Sequence, residues 1–183
     1  MSGRDGSAGE IGHTRVSPDG PLCGCGGRGC LEAHLAPSRL AALWKGASTA
    51  DLDAIAPRGE TAGDDFAQML AAAHQGEARA KDVLAGAARA LAIALGNAIS
   101  LLNPERIILG GRFVEAGESL VGLLRHALPE FALPELVANV EVRMAELGED
   151  STFLGIAAQV RSRLFAYPSM GGTVEHQPPS EGS

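Results

Sequence analysis

The sequence predicts an α/β protein, because short β-rich runs alternate with segments of helical periodicity along its 183 residues. The clearest β-rich runs are 106–109 and 140–144, and each is flanked by helical patterns. Hydrophobic residues make up 45% of the chain but aromatic residues only 4%. The core therefore has to be built from Ala, Leu, Val and Ile, a composition that suits helices packed closely on a sheet.

The N-terminal quarter is rich in glycine, with nine of the 24 glycines among the first 30 residues, which indicates turns and close backbone approaches. Within it, 10–16 is predicted to form a short strand and Ser17-Pro18-Asp19-Gly20 a turn. A helical pattern then covers 31–44. Residues 46–60 are predicted to be a connection, with a short helical turn at 50–55.

Two helices dominate the middle of the chain. One is predicted at 64–74, with Thr61 or Asp64 as its cap. The next is predicted at 77–102 and is apolar on all faces, which is typical of a buried helix. Asn103-Pro104 ends it, because a residue that precedes proline avoids helical geometry.

The C-terminal part continues the alternation. The run 106–109 predicts a strand closed by Gly110-Gly111, and helices are predicted at 117–128 and 152–165 on either side of the strand at 140–144. The Gly-, Pro- and Ser-rich segment 167–183 predicts a disordered tail. We therefore expect one lobe at 1–166 followed by this tail.

Charge and composition exclude several classes of protein. The net charge is −7, and Lys and Arg are scattered, whereas phosphate backbones attract clustered basic residues. The chain is therefore not expected to hold DNA by itself. Residues 1–12 have no apolar stretch of the kind found in signal peptides, and the apolar run 91–102 contains Gly96, Asn97 and Ser100. We expect a cytoplasmic protein without a membrane span.

All three cysteines lie between Cys23 and Cys30, and an odd, clustered set argues against a disulfide framework. Small residues between Cys23, Cys25 and Cys30 allow three sulfurs to converge on one metal ion. A tetrahedral zinc site needs a fourth ligand. His13 is the preferred candidate and His34, in the following helix, its competitor. The alternative is three free core cysteines beside an ordinary surface histidine.

Two motifs resemble those of the ROK family (repressor, open reading frame, kinase). The first and more specific one is Gly9-Glu10-Ile11-Gly12-His13 followed by Cys23-x-Cys25-Gly26-x-x-Gly29-Cys30-Leu31-Glu32. The second is Leu102-Asn103-Pro104-Glu105-Arg106-Ile107-Ile108-Leu109-Gly110-Gly111. Together with Leu154-Gly155, the resemblance covers roughly residues 3 to 165, judged by the order of the motifs.

The resemblance implies the C-terminal lobe of an actin-like (ribonuclease H-like) sugar kinase fold. It implies that Zn²⁺ is held by His13, Cys23, Cys25 and Cys30, and that Glu10, His13 and Glu32 contact sugar hydroxyls. Structural alternatives exist for both acids, because Glu32 opens a helix, where the dipole favours any acid, and Glu10 could be a solvated loop residue.

The resemblance also implies that the backbone at Gly110 and Gly111 approaches a nucleotide, with ATP as a cofactor only if the complete protein is a kinase. The alternative is a plain exit from a strand. Family members carry a phosphate loop and a catalytic aspartate before the first motif, and neither is found in this sequence. We therefore expect an N-terminally truncated lobe that phosphorylates nothing alone.

Three functions follow as hypotheses. The first is a sugar-responsive transcriptional regulator that contacts DNA only through an absent N-terminal domain. The second is a fragment of an ATP-dependent sugar kinase such as a glucokinase. The third is a zinc-stabilised α/β module without a ligand. A truncated lobe should also expose an unpaired sheet edge and apolar surface, so a homo-oligomer is expected.

Overall fold

The computed structural model describes residues 3–55, 63–146 and 151–164. Two compact units are present, Met1–Gly148 and Glu149–Ser183. The helices are α1 (Leu31–Leu35), α2 (Pro37–Trp44), α3 (Gly63–His74), α4 (Ala78–Leu102), α5 (Gly117–Ala127), α6 (Pro134–Asn139) and α7 (Ser151–Leu164), and the strands are β1 (Arg106–Leu109) and β2 (Glu141–Met144). Short 3₁₀ turns lie at Arg4–Gly6, Ile11–His13, Thr49–Ala54, Gly111–Ala116 and Leu128–Glu130.

Helix α4 is the centre of the first unit and packs against α1, α2, α3 and α5. Helix α4 can approach neighbouring segments closely because it has small residues at the points of contact. At Gly96, a Cβ atom would lie 2.5 Å from the carbonyl oxygen of Phe131, so only glycine allows this approach. The helix ends as predicted at Asn103, which adopts a left-handed conformation (φ 42°) before Pro104 and donates its N–H to the Ile99 carbonyl at 2.9 Å.

Two apolar clusters form the core of this unit. One joins α4 and α5 to β2 through side chains such as Leu124, Ile99 and Val142. The other joins α2 and α3 to the first half of α4, with Phe66 and Met69 fully buried. Leu31, which follows the last cysteine, belongs to the first cluster. The cysteine segment is therefore anchored in the core at its C-terminal end.

The two strands form a parallel pair in which Arg106 is opposite Glu141 and Leu109 is opposite Met144. Helices α5 and α6 make the crossover between them. In the part of the chain that the structure describes, β1 pairs with β2 alone. Ile108 in β1 is 63% exposed, as are Leu101 (83%) and Leu102 (62%) at the end of α4. The prediction that α4 is apolar and buried on all faces is therefore wrong for its last turn, and also for its first half, where Arg79, Lys81 and Arg89 are exposed.

Two elements differ from the prediction near the cysteines. No strand covers 10–16: Ile11–His13 is a 3₁₀ turn, and Arg15 makes only an isolated bridge with Cys30. The predicted helix 31–44 is two helices, because Ala36 is extended (ψ 121°) before Pro37, which disfavours helical geometry in the residue that precedes it. The other predicted elements occur within one or two residues of their expected bounds.

Some predictions concern residues outside the described part of the chain, namely the cap at Thr61, the lobe boundary at 166 and the tail 167–183. Helix α7 lies close to its predicted place, and its apolar side chains Phe153 and Ile156 are 76% and 56% exposed. Among the described helices, α4 alone is long and apolar enough to cross a membrane, and 56% of its most apolar window is buried inside the protein. That burial is typical of a core helix.

Candidate metal centre

The segment from Thr14 to Leu31 is a loop closed by backbone hydrogen bonds at its base. The N–H of Val16 donates to the Gly29 carbonyl at 2.8 Å, and that of Leu31 to the Thr14 carbonyl at 2.9 Å. Gly29 has φ 69°, and a Cβ atom there would lie 1.6 Å from the Ser17 carbonyl oxygen. The loop can therefore close in this way only with glycine at this position. We call residues 13–30 the metal loop.

A second, smaller turn inside the metal loop brings two cysteines together. The N–H of Cys23 donates to the Gly27 carbonyl at 2.7 Å, and that of Gly26 to the Cys23 carbonyl at 3.0 Å. Gly26 takes φ 84°, which favours glycine. Cys23 and Cys30 point inward and are 3% and 2% exposed, whereas Cys25 is exposed.

The structure brings together one ligand atom from each of the four residues predicted to bind metal, His13, Cys23, Cys25 and Cys30. These atoms all lie within 4.8 Å of one another. The Sγ atoms of Cys25 and Cys30 are 3.7 Å apart, and Cys23 Sγ is 3.7 Å from His13 Nδ1.

The two 3.7 Å separations fit the edges of a zinc tetrahedron, and the other ligand atoms lie within 4.8 Å of one another. With Zn–S near 2.3 Å and Zn–N near 2.0–2.1 Å, tetrahedral geometry places two sulfurs about 3.8 Å apart and a sulfur and a nitrogen about 3.6 Å apart. One imidazole and three thiols also form a donor set typical of structural zinc. The residues therefore fit the ion in both chemistry and spacing.

The thiols have different electrostatic environments. Burial, together with the neighbouring thiols of Cys25 and Cys23, raises the pKa of Cys30 to about 12. At the exposed Cys25, the Gly27 N–H lowers the pKa, and contacts with the other two sulfurs add to that effect. A thiol buried like Cys30 is deprotonated at neutral pH only if a cation takes the place of its proton.

The residues expected to contact a sugar lie beside this cluster. His13 Nδ1 faces Cys23, and its other ring nitrogen, Nε2, is 3.9 Å from the carboxylate of Glu10. Helix α1 packs on the 3₁₀ turn that carries His13. A Cβ atom on Gly12 would lie 3.7 Å from Oε2 of Glu32, so this carboxylate lies over the backbone next to His13.

The competing ligand His34 is not part of the cluster. Its Nε2 atom is buried and has no hydrogen-bond partner among the described residues. A Cβ atom on Gly20 would lie only 2.5 Å from this nitrogen, so the ring packs against the backbone of the metal loop. Burial lowers the pKa of His34, and the nearby charge of Arg39 adds to that effect. The imidazole is therefore neutral at pH 7.

Three charged residues that no sequence pattern indicated make contacts that hold the metal loop in place. Two lie outside the loop and one lies within it. Arg39 of α2 and Asp53 of the turn Thr49–Ala54 both bond to Leu22, the residue before the first cysteine. Arg28, inside the loop, forms an ion pair with Asp53 at 2.5 Å. Their partners are 17 to 31 residues away in sequence, so local spacing carries no signal for these contacts.

The other predicted site, Gly110-Gly111, follows β1. Gly110 is extended, and Gly111 has φ 69° and begins the 3₁₀ turn Gly111–Ala116. A Cβ atom on Gly111 would meet nothing within 4 Å. The backbone is therefore open there, and a role toward a nucleotide stays a prediction.

Comparison with known proteins places the chain in a family. The sequence model of the ROK family matches residues 1–163. The chain belongs to the ROK family. It is 35% identical over 168 residues to a glucokinase of Thermotoga maritima, covering 90% of this chain and 52% of that protein. It is 29% identical over 162 residues to the DNA-binding transcriptional dual regulator NagC of Escherichia coli, covering 88% of this chain and 39% of that protein.

Solved ROK structures agree with this assignment. A ROK glucokinase from Streptomyces griseus, in complex with glucose and AMPPNP, superposes with a TM-score of 0.63 at 29% identity, covering 87% of this chain and 53% of that one. The fold is therefore part of the actin-like ATPase fold that ROK kinases and regulators share. The chain spans about half the length, or less, of the relatives it matches.

Proposed function

We propose that this ROK chain binds a sugar, or a sugar derivative, on a surface that a zinc ion holds in place, which we call the sugar wall. We propose further that the chain is the sugar-sensing part of a sugar-responsive transcriptional regulator. The observation that carries the proposal is the convergence of four ligand atoms within 4.8 Å, directly beside two acidic side chains. His13 belongs to both groups. Zinc would supply rigidity here rather than chemistry.

The expected contacts follow from the charges and donors of the wall. A carboxylate accepts hydrogen bonds from two neighbouring hydroxyls, and such charge-assisted bonds are stronger than neutral ones. Glu10 and Glu32 would be the carboxylates that accept these hydrogen bonds. If Nδ1 of His13 binds the metal, the proton must lie on Nε2, which then donates to a sugar oxygen.

The regulator assignment is supported by the similarity to NagC. The chain carries a net charge of −7, which disfavours binding to the DNA phosphate backbone. In this proposal DNA is contacted by a domain outside the chain, and the protein acts in the cytoplasm as a homo-oligomer.

Calorimetric titration of the zinc-loaded chain with glucose, N-acetylglucosamine and xylose tests the proposal. We expect saturable heat with at least one of the three, weakened at least about tenfold in Glu32→Gln because a charge-assisted acceptor is lost. Glu118→Gln in α5 is the matched control, because this acid is 80% exposed and should leave binding unchanged. Equal binding by Glu32→Gln and the unaltered chain would refute the sugar wall.

The second candidate is part of an ATP-dependent sugar kinase. It is favoured by the higher identity to the Thermotoga maritima glucokinase, 35% against 29% for NagC. In that case Gly110 and Gly111 would approach the nucleotide. Release of ADP that depends on glucose, and that Glu32→Gln abolishes, would establish the kinase and exclude the regulator. No release above the rate without sugar is expected of a regulator and equally of a kinase lobe that phosphorylates nothing alone, so only glucose-dependent release separates the two candidates.

A further inference from the structure

Leu22, the residue before the first cysteine, has both of its backbone polar groups held by charged side chains from outside the metal loop. Its N–H donates to Oδ1 of Asp53 at 2.7 Å. Its carbonyl accepts from the guanidinium of Arg39, also at 2.7 Å. The position of the Cys23 backbone is therefore fixed from two sides before any ligand binds.

Arg39 is a buried cation, only 2% exposed, and it is committed to backbone carbonyls. Besides Leu22, its guanidinium donates to Ile55 at 2.9 Å and to Ala33 at 3.2 Å. It thus joins three segments: the metal loop, α1, which follows the last cysteine, and the connection after α2. A buried charge is costly unless its donors are satisfied. Because each acceptor lies in a different segment, moving any one of them would leave a donor unsatisfied.

Asp53 adds a second attachment. It accepts from Leu22 and pairs with Arg28 at 2.5 Å, and Arg28 in turn donates to the Gly20 carbonyl at 3.3 Å. Leu22 and Arg28 are themselves bridged across the loop. The turn Thr49–Ala54 therefore holds both sides of the segment that carries Cys23 and Cys25.

We infer that Arg39 and Asp53 are positioning residues that preorganise the metal loop and thereby set its affinity for zinc. The inference rests on the proposed zinc site. Without these two clamps, the three thiolates and His13 would have to be ordered at the moment of binding, and that entropy would be subtracted from the binding free energy. Residues that orient metal ligands from outside change metal affinity by roughly 10- to 100-fold when they are replaced.

The test is a competition between the full chain and a chromophoric chelator for Zn²⁺, together with the thiolate-to-cobalt absorption band of the Co²⁺ form. Arg39→Lys keeps the charge but removes the forked geometry that reaches three carbonyls. Asp53→Ala removes the acceptor for Leu22. We expect each variant to bind Zn²⁺ about 10- to 100-fold more weakly and to release it faster.

Two matched controls separate this role from general destabilisation. Arg79→Lys alters another guanidinium bonded to a carbonyl, that of Leu43, away from the metal loop. Asp65→Ala alters an acid of α3 that pairs with Lys45 at 2.6 Å, outside the turn that carries Asp53. Both should keep the zinc affinity of the unaltered chain, and all four variants should keep the helical circular dichroism.

The outcomes distinguish this inference from the proposed function. Tight zinc binding by the unaltered chain, with unchanged affinity in Arg39→Lys and Asp53→Ala, overturns the inference alone. An equal loss of affinity in the controls also overturns it, because the effect would then be nonspecific. Absence of zinc binding by the unaltered chain overturns both.

Discussion

The metal loop and the helical core are stabilised in different ways. In α3, α4 and α5, buried Leu, Ala, Phe and Met side chains touch one another, and removal of apolar surface from water supplies the free energy. The metal loop has glycine at five of its 18 positions, and its buried Cys23 and Cys30 cluster with Ala33, which follows the loop. Its order comes from backbone hydrogen bonds, two charged clamps and, in our proposal, one metal ion.

This difference means that the two regions should respond separately to substitution. Changes in the core should lower the free energy of unfolding while the metal stays bound in the native state. Changes in the metal loop should remove the metal while the helices remain folded. Four substitutions, two in the metal loop and two outside it, test whether the two regions respond separately.

Gly29→Ala should have the largest effect, namely loss of stoichiometric zinc. The left-handed conformation costs a non-glycine residue about 1–2 kcal/mol, and the new Cβ atom would overlap the Ser17 carbonyl, which lies 1.6 Å from its position. The loop therefore cannot close at its base. Metal analysis of the purified variant, with circular dichroism to follow the helices, measures both regions.

Gly24→Ala is the matched control in the same loop. A Cβ atom there meets nothing within 4 Å, and Gly24 is not in the left-handed region. This variant should retain its zinc. Loss of zinc from both variants would mean that the loop tolerates no substitution, and that the overlap at Gly29 is not the cause.

Phe66→Ala should lower the free energy of unfolding by about 3–5 kcal/mol, which is the usual range for a buried Phe. Phe66 is fully buried and packs edge-on against Phe113, with ring centroids 5.6 Å apart. Urea denaturation measures the change, and the zinc content of the folded protein should be unaltered. Loss of zinc under native conditions would show that the two regions are coupled.

Glu130→Gln should have the smallest effect, within about 0.2–1 kcal/mol, because exposed ion pairs contribute little. Glu130 pairs with Arg89 at 2.6 Å, and both side chains are about half exposed. Arg89 also lies 4.9 Å from the centre of the Phe131 ring, a contact that the substitution leaves in place. In urea denaturation the difference should be smaller at high salt than at low salt, because salt screens exposed charges, and a change above about 2 kcal/mol would contradict this account.

The same comparison explains what could be predicted from sequence. Helices α4 and α5 and both strands were predicted closely, because hydrophobic periodicity and helix-ending residues such as Asn103-Pro104 are local signals. The four ligand candidates were also found locally, because the cysteines are clustered and His13 precedes them. The motif order predicted the ROK family, and the family match over residues 1–163 confirmed it.

The features that the sequence did not predict depend on contacts between residues that are far apart in the chain. The strand predicted at 10–16 fails because that segment bonds back to Gly29 and Leu31 instead of forming a ladder. The exposure of Leu101 and Leu102 depends on what surrounds the end of α4, which periodicity does not report. Arg39 and Asp53 act on Leu22 across 17 and 31 residues. Their importance follows only from the folded structure.

X-ray absorption at the zinc edge of the purified chain tests the central claim most directly. Our account predicts one zinc per chain, with three sulfur neighbours near 2.3 Å and one nitrogen near 2.0–2.1 Å. In Cys25→Ser the zinc should be lost or should keep only two sulfur neighbours. A chain purified without zinc that also fails to take it up, or a bound ion surrounded mainly by oxygen, would contradict the account.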